Sequence, residues 1–199
     1  MAGTKTLGVV PFVLYMQYEQ YKAHINVMGT GMKNVGDTAF SDLNSGVYNL
    51  VFTDTQVVIA DAKAETSAIM SGKFSTVEQA LDSSKISQTY GTNVIVDMLF
   101  YEKLISKLSK ASNPRSIITD QSTAAGYLSK KICSLDYSDI KKVAVHTSNR
   151  MIYFTTQNGA QLVLWYDVKI LFSKVNFNDQ FVGLLKSLPV ADRLSLLFI

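Results

Sequence analysis

Cys133 is the one thiol of this chain, and His24 and His146 are its two imidazoles. A thiol and an imidazole such as Cys133 and His146 support covalent catalysis when the base holds the nucleophile within hydrogen-bond reach. Neither stands in a recognisable catalytic motif, and a solitary cysteine commonly serves as a small buried hydrophobe. Two histidines 122 positions apart with one thiol do not form a Cys/His zinc set. Asp136 and Asp139 are close enough in sequence to share a cation, but aspartates at a strand start ordinarily cap or turn the backbone. The string GTGMKNVG places Asn34 where a dinucleotide-binding fingerprint has its third glycine, and no GxxxxGK[ST] loop occurs. These residues predict no catalytic site, no metal site and no cofactor, and no small-molecule substrate is evident.

Two other features carry binding chemistry. Lys103, Lys107 and Lys110 recur at the spacing of one helix face, and Arg115, Lys130, Lys131, Lys141 and Lys142 follow. Residues 1–100 hold six basic and nine acidic side chains, residues 101–150 nine and four, and residues 151–199 four and three, so the net +3 conceals a basic middle. Cations so arranged sum their contacts to phosphates of nucleic acid or to anionic lipid head groups. With only three arginines and a small net charge, a solvated helix face is the expected role. Anion binding by Lys103, Lys107, Lys110, Lys130 and Lys131 is the functional alternative. The second feature is the ending DRLSLLFI, where Leu194, Leu196, Leu197, Phe198 and Ile199 need cover. Leaving five such side chains in water forfeits on the order of 10 kcal/mol. The tail is expected either as an edge strand of the chain's own sheet or as a strand added to a partner. RLSLLF also looks like the short peptides that dock on DNA sliding clamps, although Arg193 replaces the glutamine usual at their head.

The composition suits a folded domain: of 199 residues, 47% are hydrophobic and 18% charged. One cysteine permits no intrachain disulfide, so packing must hold the fold, in keeping with a reducing compartment. The apolar run Leu7–Met16 falls short of the ~20 residues a spanning helix needs, Pro11 interrupts it, and no small-residue cleavage site follows. A soluble, cytoplasmic protein is expected, or a virion-associated one should the source be viral.

The elements follow from periodicity. Leu14, Tyr18, Tyr21 and Ile25 suit an amphipathic helix over residues 12–25, with a strand as the alternative given the Tyr and Val content. Gly29, Gly31 and Gly36 with Asn34 and Asp37 mark a loop. GVYNLVF and QVVIA predict a hairpin from Val47 to Ala60. Ten Ser or Thr among the 27 residues Thr66–Thr92 predict surface loops. Asp97 is placed to cap a helix with Phe100, Tyr101, Leu104, Ile105 and Leu108 on one face, ending at Asn113-Pro114. A second helix from Ser122 or Thr123 to about Cys133 would turn Leu128 and Ile132 inward and Lys130 and Lys131 outward. Ile140–His146, Met151–Thr156 and Gln161–Phe172 read as strands, separated by Ser148-Asn149 and by Asn158-Gly159, the latter suited to a type I′ turn. In the third, Leu162, Leu164, Tyr166, Val168 and Ile170 make an apolar face and Val163, Trp165, Asp167, Lys169 and Leu171 a mixed one. A final helix capped by Asp179 carries Phe181, Leu184, Leu185 and Leu188 and stops at Pro189.

In order, GVYNLVFTDTQVVIAD, LDYSDIKKVAVH, RMIYFTTQNGAQLVLWY and FNDQFVGLLKSL resemble the bacterial pleckstrin-homology-like and GRAM-like domains. The matching positions are Gly46, Thr53, Asp54, Ile59, Leu135, Ser138, Asp139, Ile140, Gly159 and Leu185, within residues 46–62 and 134–188. A helical insertion at 63–133 departs from that pattern. The resemblance implies a non-catalytic binding or assembly module, often oligomeric. The expected fold is α+β: a curled antiparallel sheet or partly open barrel capped by a C-terminal helix, with a helical insertion. Residues 1–45 are set apart as an N-terminal segment, and 46–199 as one domain with the inserted region 63–133. The expected function is that of a non-enzymatic interaction or structural protein that self-associates or docks on a larger assembly, in a bacterial, viral or phage setting. Its partners would be proteins, including copies of itself. The alternative is an accessory factor of nucleic acid or a membrane surface that uses the basic 101–150 region.

Overall fold

A computed structural model describes residues 4–17, 40, 43–71, 98–109, 117–147, 150–166, 177–188 and 196–198. The strands are β1 (Thr6–Tyr15), β2 (Gly46–Thr53), β3 (Gln56–Asp61), β4 (Lys131–Asp136), β5 (Ile140–His146), β6 (Met151–Thr156), β7 (Gln161–Trp165) and β8 (Leu196–Phe198). They form one sheet in the order β4-β3-β2-β1-β7-β6-β5-β8, antiparallel throughout except for β8, which runs parallel to β5. The helices are α1 (Lys63–Ser71), α2 (Met98–Ser109), α3 (Gln121–Ala125) and α4 (Phe177–Lys186). The expected α+β class holds, with a curled sheet that stays open.

Residues 12–15, read as the start of an amphipathic helix with a strand as the alternative, take the alternative: they end the strand Thr6–Tyr15. Val9, Val10, Phe12, Val13 and Leu14 are all fully buried, as befits a strand covered on both faces, and such a strand reads as a continuous apolar run. Thus β1, from the segment set apart at 1–45, lies between β2 and β7. Opposite Asn49 the β1–β2 register shifts between Val10 and Val13, where Pro11 supplies no N–H. There Phe12 adopts φ 56°, its N–H donates to Asn49 Oδ1 at 3.2 Å, and its carbonyl accepts from Tyr101 Oη at 2.8 Å. Only Leu14 and Tyr15 of β1 pair with β7, so this clasp sits beside the narrow joint between the two halves of the sheet.

Both faces of the sheet are covered. On one, Ile69 of α1, Tyr101, Leu104, Ile105 and Leu108 of α2 and Ala124 of α3 pack with Val51, Val58, Val163 and Trp165. On the other, Phe181, Leu184, Leu185 and Leu188 pack with Leu50, Phe52, Leu164 and Tyr166, and Phe181 stacks on Tyr166 with ring centroids 4.1 Å apart. The predicted stripe of α4 and the described part of that of α2, Tyr101, Leu104, Ile105 and Leu108, therefore face the core, while the β7 side expected to be mixed is also buried as far as Trp165.

The predicted hairpin β2–β3 and strands β5 and β6 form as expected. The Asn158-Gly159 turn differs from type I′. Gly159 alone takes positive φ, at 89°, Gly159 N–H donates to Thr156 O, and Thr156 N–H donates to Ala160 O. This is a three-residue loop with a left-handed glycine, and Asn158 turns its side-chain oxygen toward Thr156 Oγ1 instead. Part of the stretch expected as surface loop, Thr66–Ser71, is helical, with Thr66, Ala68 and Ile69 buried. Its Ser and Thr residues are outweighed by the apolar Ala68–Ile69 pair that α1 turns to the core. The helix predicted from Ser122 or Thr123 to Cys133 ends at Ala125. A 3-10 turn over Gly126–Lys130 follows, and then β4. Gly126 weakens a continuing helix, and pairing with β3 captures Lys131–Asp136. Ile132 is in consequence exposed, not inward. The readings at Tyr18, Tyr21, Ile25, the glycine loop, Asp97, Asn113-Pro114, Ser148-Asn149, residues 167–172 and Pro189 lie outside the described residues.

Candidate functional site

β4 ends the sheet, and local chemistry pins it at both ends. Asp120 caps α3, its Oδ2 accepting from Thr123 N–H at 2.9 Å and from the hydroxyls of Ser122 and Thr123, and these donors lower its carboxyl below the ordinary range. The 3-10 turn then delivers Lys130 to Glu65 of α1, with Nζ 2.5 Å from Oε1. Glu65 is 1% exposed and Lys130 25%. Burial raises the Glu65 carboxyl above its usual value, and the hydrogen bond and charge of Lys130 oppose that rise. At the far end, buried Tyr137 donates its hydroxyl to Thr53 O at 2.7 Å and its N–H to Thr55 O at 3.1 Å. Burial, with Asp54 nearby, pushes the Tyr137 phenol up.

Between these anchors β4 has, among the described residues, a strand neighbour, β3, on one side only. In an antiparallel ladder alternate residues turn their N–H and C=O to opposite edges. Because Tyr137 N–H bonds on the β3 side, Leu135 and Cys133 share that side, and Ser134 and Asp136 turn their backbone outward. The side chains alternate as well. Cys133 and Leu135 pack against the Phe52–Phe181 cluster, and Ser134 sits opposite Val58 of the other. The ladder is irregular between Ile59 and Ala60, so Lys131 and Ile132 together face Ala60. Ile132 is 48% exposed, the one large hydrophobic so exposed among the described residues. Lys131 and Asp136 are exposed as well.

The other end of the sheet is β8. Leu196, Leu197 and Phe198 pair with Val143, Ala144 and Val145 of the same chain, which is the own-sheet outcome foreseen for the tail. Leu194 and Ile199 lie outside the described residues.

Among the described lysines, Lys107 and Lys130 each bind a partner on α1. Lys103 is exposed on α2, Lys107 Nζ donates to Met70 O of α1 at 2.6 Å, and Lys130 is held by Glu65 and lies 5.6 Å over the Tyr127 ring. The expected outward orientation of Lys130 is thus corrected by a buried carboxylate that needs a cation, whereas Lys131 does face solvent. Lys110 and Arg115 lie outside the described residues, and Lys141 and Lys142 are exposed on β5. Cys133 and His146 stand on β4 and β5, with five strands between them in the sheet. His146 packs its ring 5.2 Å from that of Tyr153, and burial and Lys142 lower its pKa. Asp136 and Asp139 are exposed at either end of a short 3-10 turn, and Asp139 O accepts from Gln157 N–H. Among the described residues no group of three or more His, Cys, Asp or Glu is placed to hold a metal ion, and no helix is long and apolar enough to cross a membrane.

Sequence reasoning weighed Lys131, Cys133 and Asp136 for other chemistry and missed that they share the β4 edge with Ile132 and Ser134. Their signal is the alternation of apolar Cys133 and Leu135 with polar Ser134 and Asp136, masked by Ile132 at the irregularity. Comparison with family models, curated proteins and solved structures finds no match to this chain.

Proposed function

We propose that this is a non-enzymatic interaction or structural protein that self-associates or docks on a larger assembly, with the β4 edge as its contact surface. One observation carries the reading: β4 is firmly held at Lys130 and Tyr137 yet ends the sheet, and its half-exposed Ile132 lies on that edge. A pre-ordered edge strand accepts another strand at little conformational cost, since its own backbone is already fixed. The opposite end of the sheet is less suited, because β8 is only three residues long. The alternative of a polyanion-binding factor draws less support from the geometry, because Lys107 and Lys130 are committed within the fold.

Sedimentation velocity of the full chain over a wide concentration range tests the proposal. A mass above that of the monomer, reduced when Ile132→Lys places a charge on the edge, is the expected result. A monomer at every concentration contradicts it.

A further inference from the structure

Lys131 and Asp136 stand at opposite ends of β4 with Cys133, Ser134 and Leu135 between them. Antiparallel pairing of two identical strands about a twofold axis sets residue i opposite a residue on the same face, so the axis must pass through one residue. Centred on Ser134, the pairing sets Cys133 opposite the partner's Leu135, and the Lys131–Ile132 irregularity opposite the partner's Asp136. Each copy supplies both members of each pair, so every contact off the axis occurs twice. Moving the axis to Cys133 sets the Lys131–Ile132 irregularity against the partner's Ser134. Moving it to Leu135 sets Asp136 against the partner's Ser134, and both shifts separate the opposite charges. Backbone polarity agrees with the first register, because Ser134 turns its N–H and C=O outward and two such residues exchange a pair of hydrogen bonds.

Resting on the function proposed above, we infer that the occupant of the β4 edge is a second copy of this chain, paired β4 to β4 in antiparallel register about Ser134, with Lys131 of each copy beside the partner's Asp136. A lysine and a bulge are the devices that keep an edge strand from pairing indiscriminately. Here the lysine discourages other edges and favours its own, because only the matching strand brings a carboxylate to it. Asp136 has room for this role: it precedes the 3-10 turn Tyr137–Asp139 without capping it through its side chain. Cys133 and Leu135, each partly buried within one copy, extend the apolar face across the junction. A six-residue ladder is small beside the ~1,200–2,000 Å² of a stable interface, so the dimer dissociates on dilution.

Charge exchange tests the register in the full-length protein. Lys131→Asp and Asp136→Lys each replace two attractive pairs by two repulsive ones and lower the association constant about tenfold or more. The double exchange K131D/D136K restores attraction and recovers the parent constant, measured by sedimentation equilibrium at low salt. Ser134→Pro removes an outward N–H that β3 does not use, and it abolishes the dimer while circular dichroism keeps the fold. A dimer that responds equally to the single and double exchanges, or to none of them, overturns this register while leaving self-association standing. A monomer at every concentration overturns both.

Discussion

Removing the Lys130 ammonium as Lys130→Met leaves Glu65, 1% exposed, without its cation. An unpaired buried charge is the costliest local outcome, and the chain avoids it by protonating the carboxyl. The cost of that proton sets the magnitude. Each pH unit above an ordinary carboxylate pKa of ~4.3 costs about 1.4 kcal/mol, so the penalty is capped near ~3.7 kcal/mol at pH 7 and about 1 kcal/mol at pH 5. The sign follows from the raised Glu65 carboxyl, with Asp61 adding to burial and Lys130 acting against it. A carboxyl with a raised folded-state pKa binds its proton more tightly folded than unfolded. Its contribution is therefore fully present below the ordinary carboxylate range and declines as pH rises toward the folded value. Without Lys130 that window widens upward, and the difference between variant and parent shrinks on acidification. Urea titrations followed by circular dichroism at pH 7 and pH 5 measure it, and Glu65→Gln in the Lys130→Met background recovers most of the pH 7 loss. Equal destabilisation at the two pH values, or no recovery when Glu65→Gln is added, refutes the reasoning.

Tyr101→Phe removes the hydroxyl that donates to Phe12 O beside the β1–β7 joint and costs about 1–2 kcal/mol in the same titration. Gly159→Ala meets no neighbouring atom, so its cost is that of φ 89° alone, about 1–2 kcal/mol in thermal or urea unfolding. Phe181→Ala vacates a fully buried site between Phe52 and Tyr166, and costs about 3–5 kcal/mol by urea unfolding.

Much of the sheet is legible from alternation and turn residues, since β2, β3, β5 and β6 each carry an apolar run bounded by polar turns. The helices α2 and α4 are legible because their apolar side chains fall on one stripe. β1 is obscured because burial on both faces removes the alternation that marks a strand, and Leu14 falls by chance on a helical spacing with Tyr18 and Tyr21. β4 is obscured differently. Its lysine and isoleucine extend the helical pattern begun at Thr123, and only pairing with Gln56–Ala60, some 75 residues earlier, decides for the strand. The same long-range partner explains the misread Lys130: nothing near it in sequence announces Glu65, 65 residues away. The tail suits a strand of its own sheet or of a partner's, and the Val143–Val145 pairing supplies the former. The candidate edge is therefore invisible as a site in the sequence, because an edge is a property of strand order rather than of any residue's chemistry.

Amide hydrogen exchange at β4, followed as protein concentration rises, tests the central claim most directly. In dilute solution the outward N–H of Ser134 exchanges fast, while those of Cys133 and Leu135, turned toward β3, exchange slowly. Self-pairing predicts that Ser134 becomes protected as concentration increases and that Ser134→Pro leaves the protein monomeric throughout. A Ser134 amide whose exchange is the same at the lowest and highest concentrations contradicts the account.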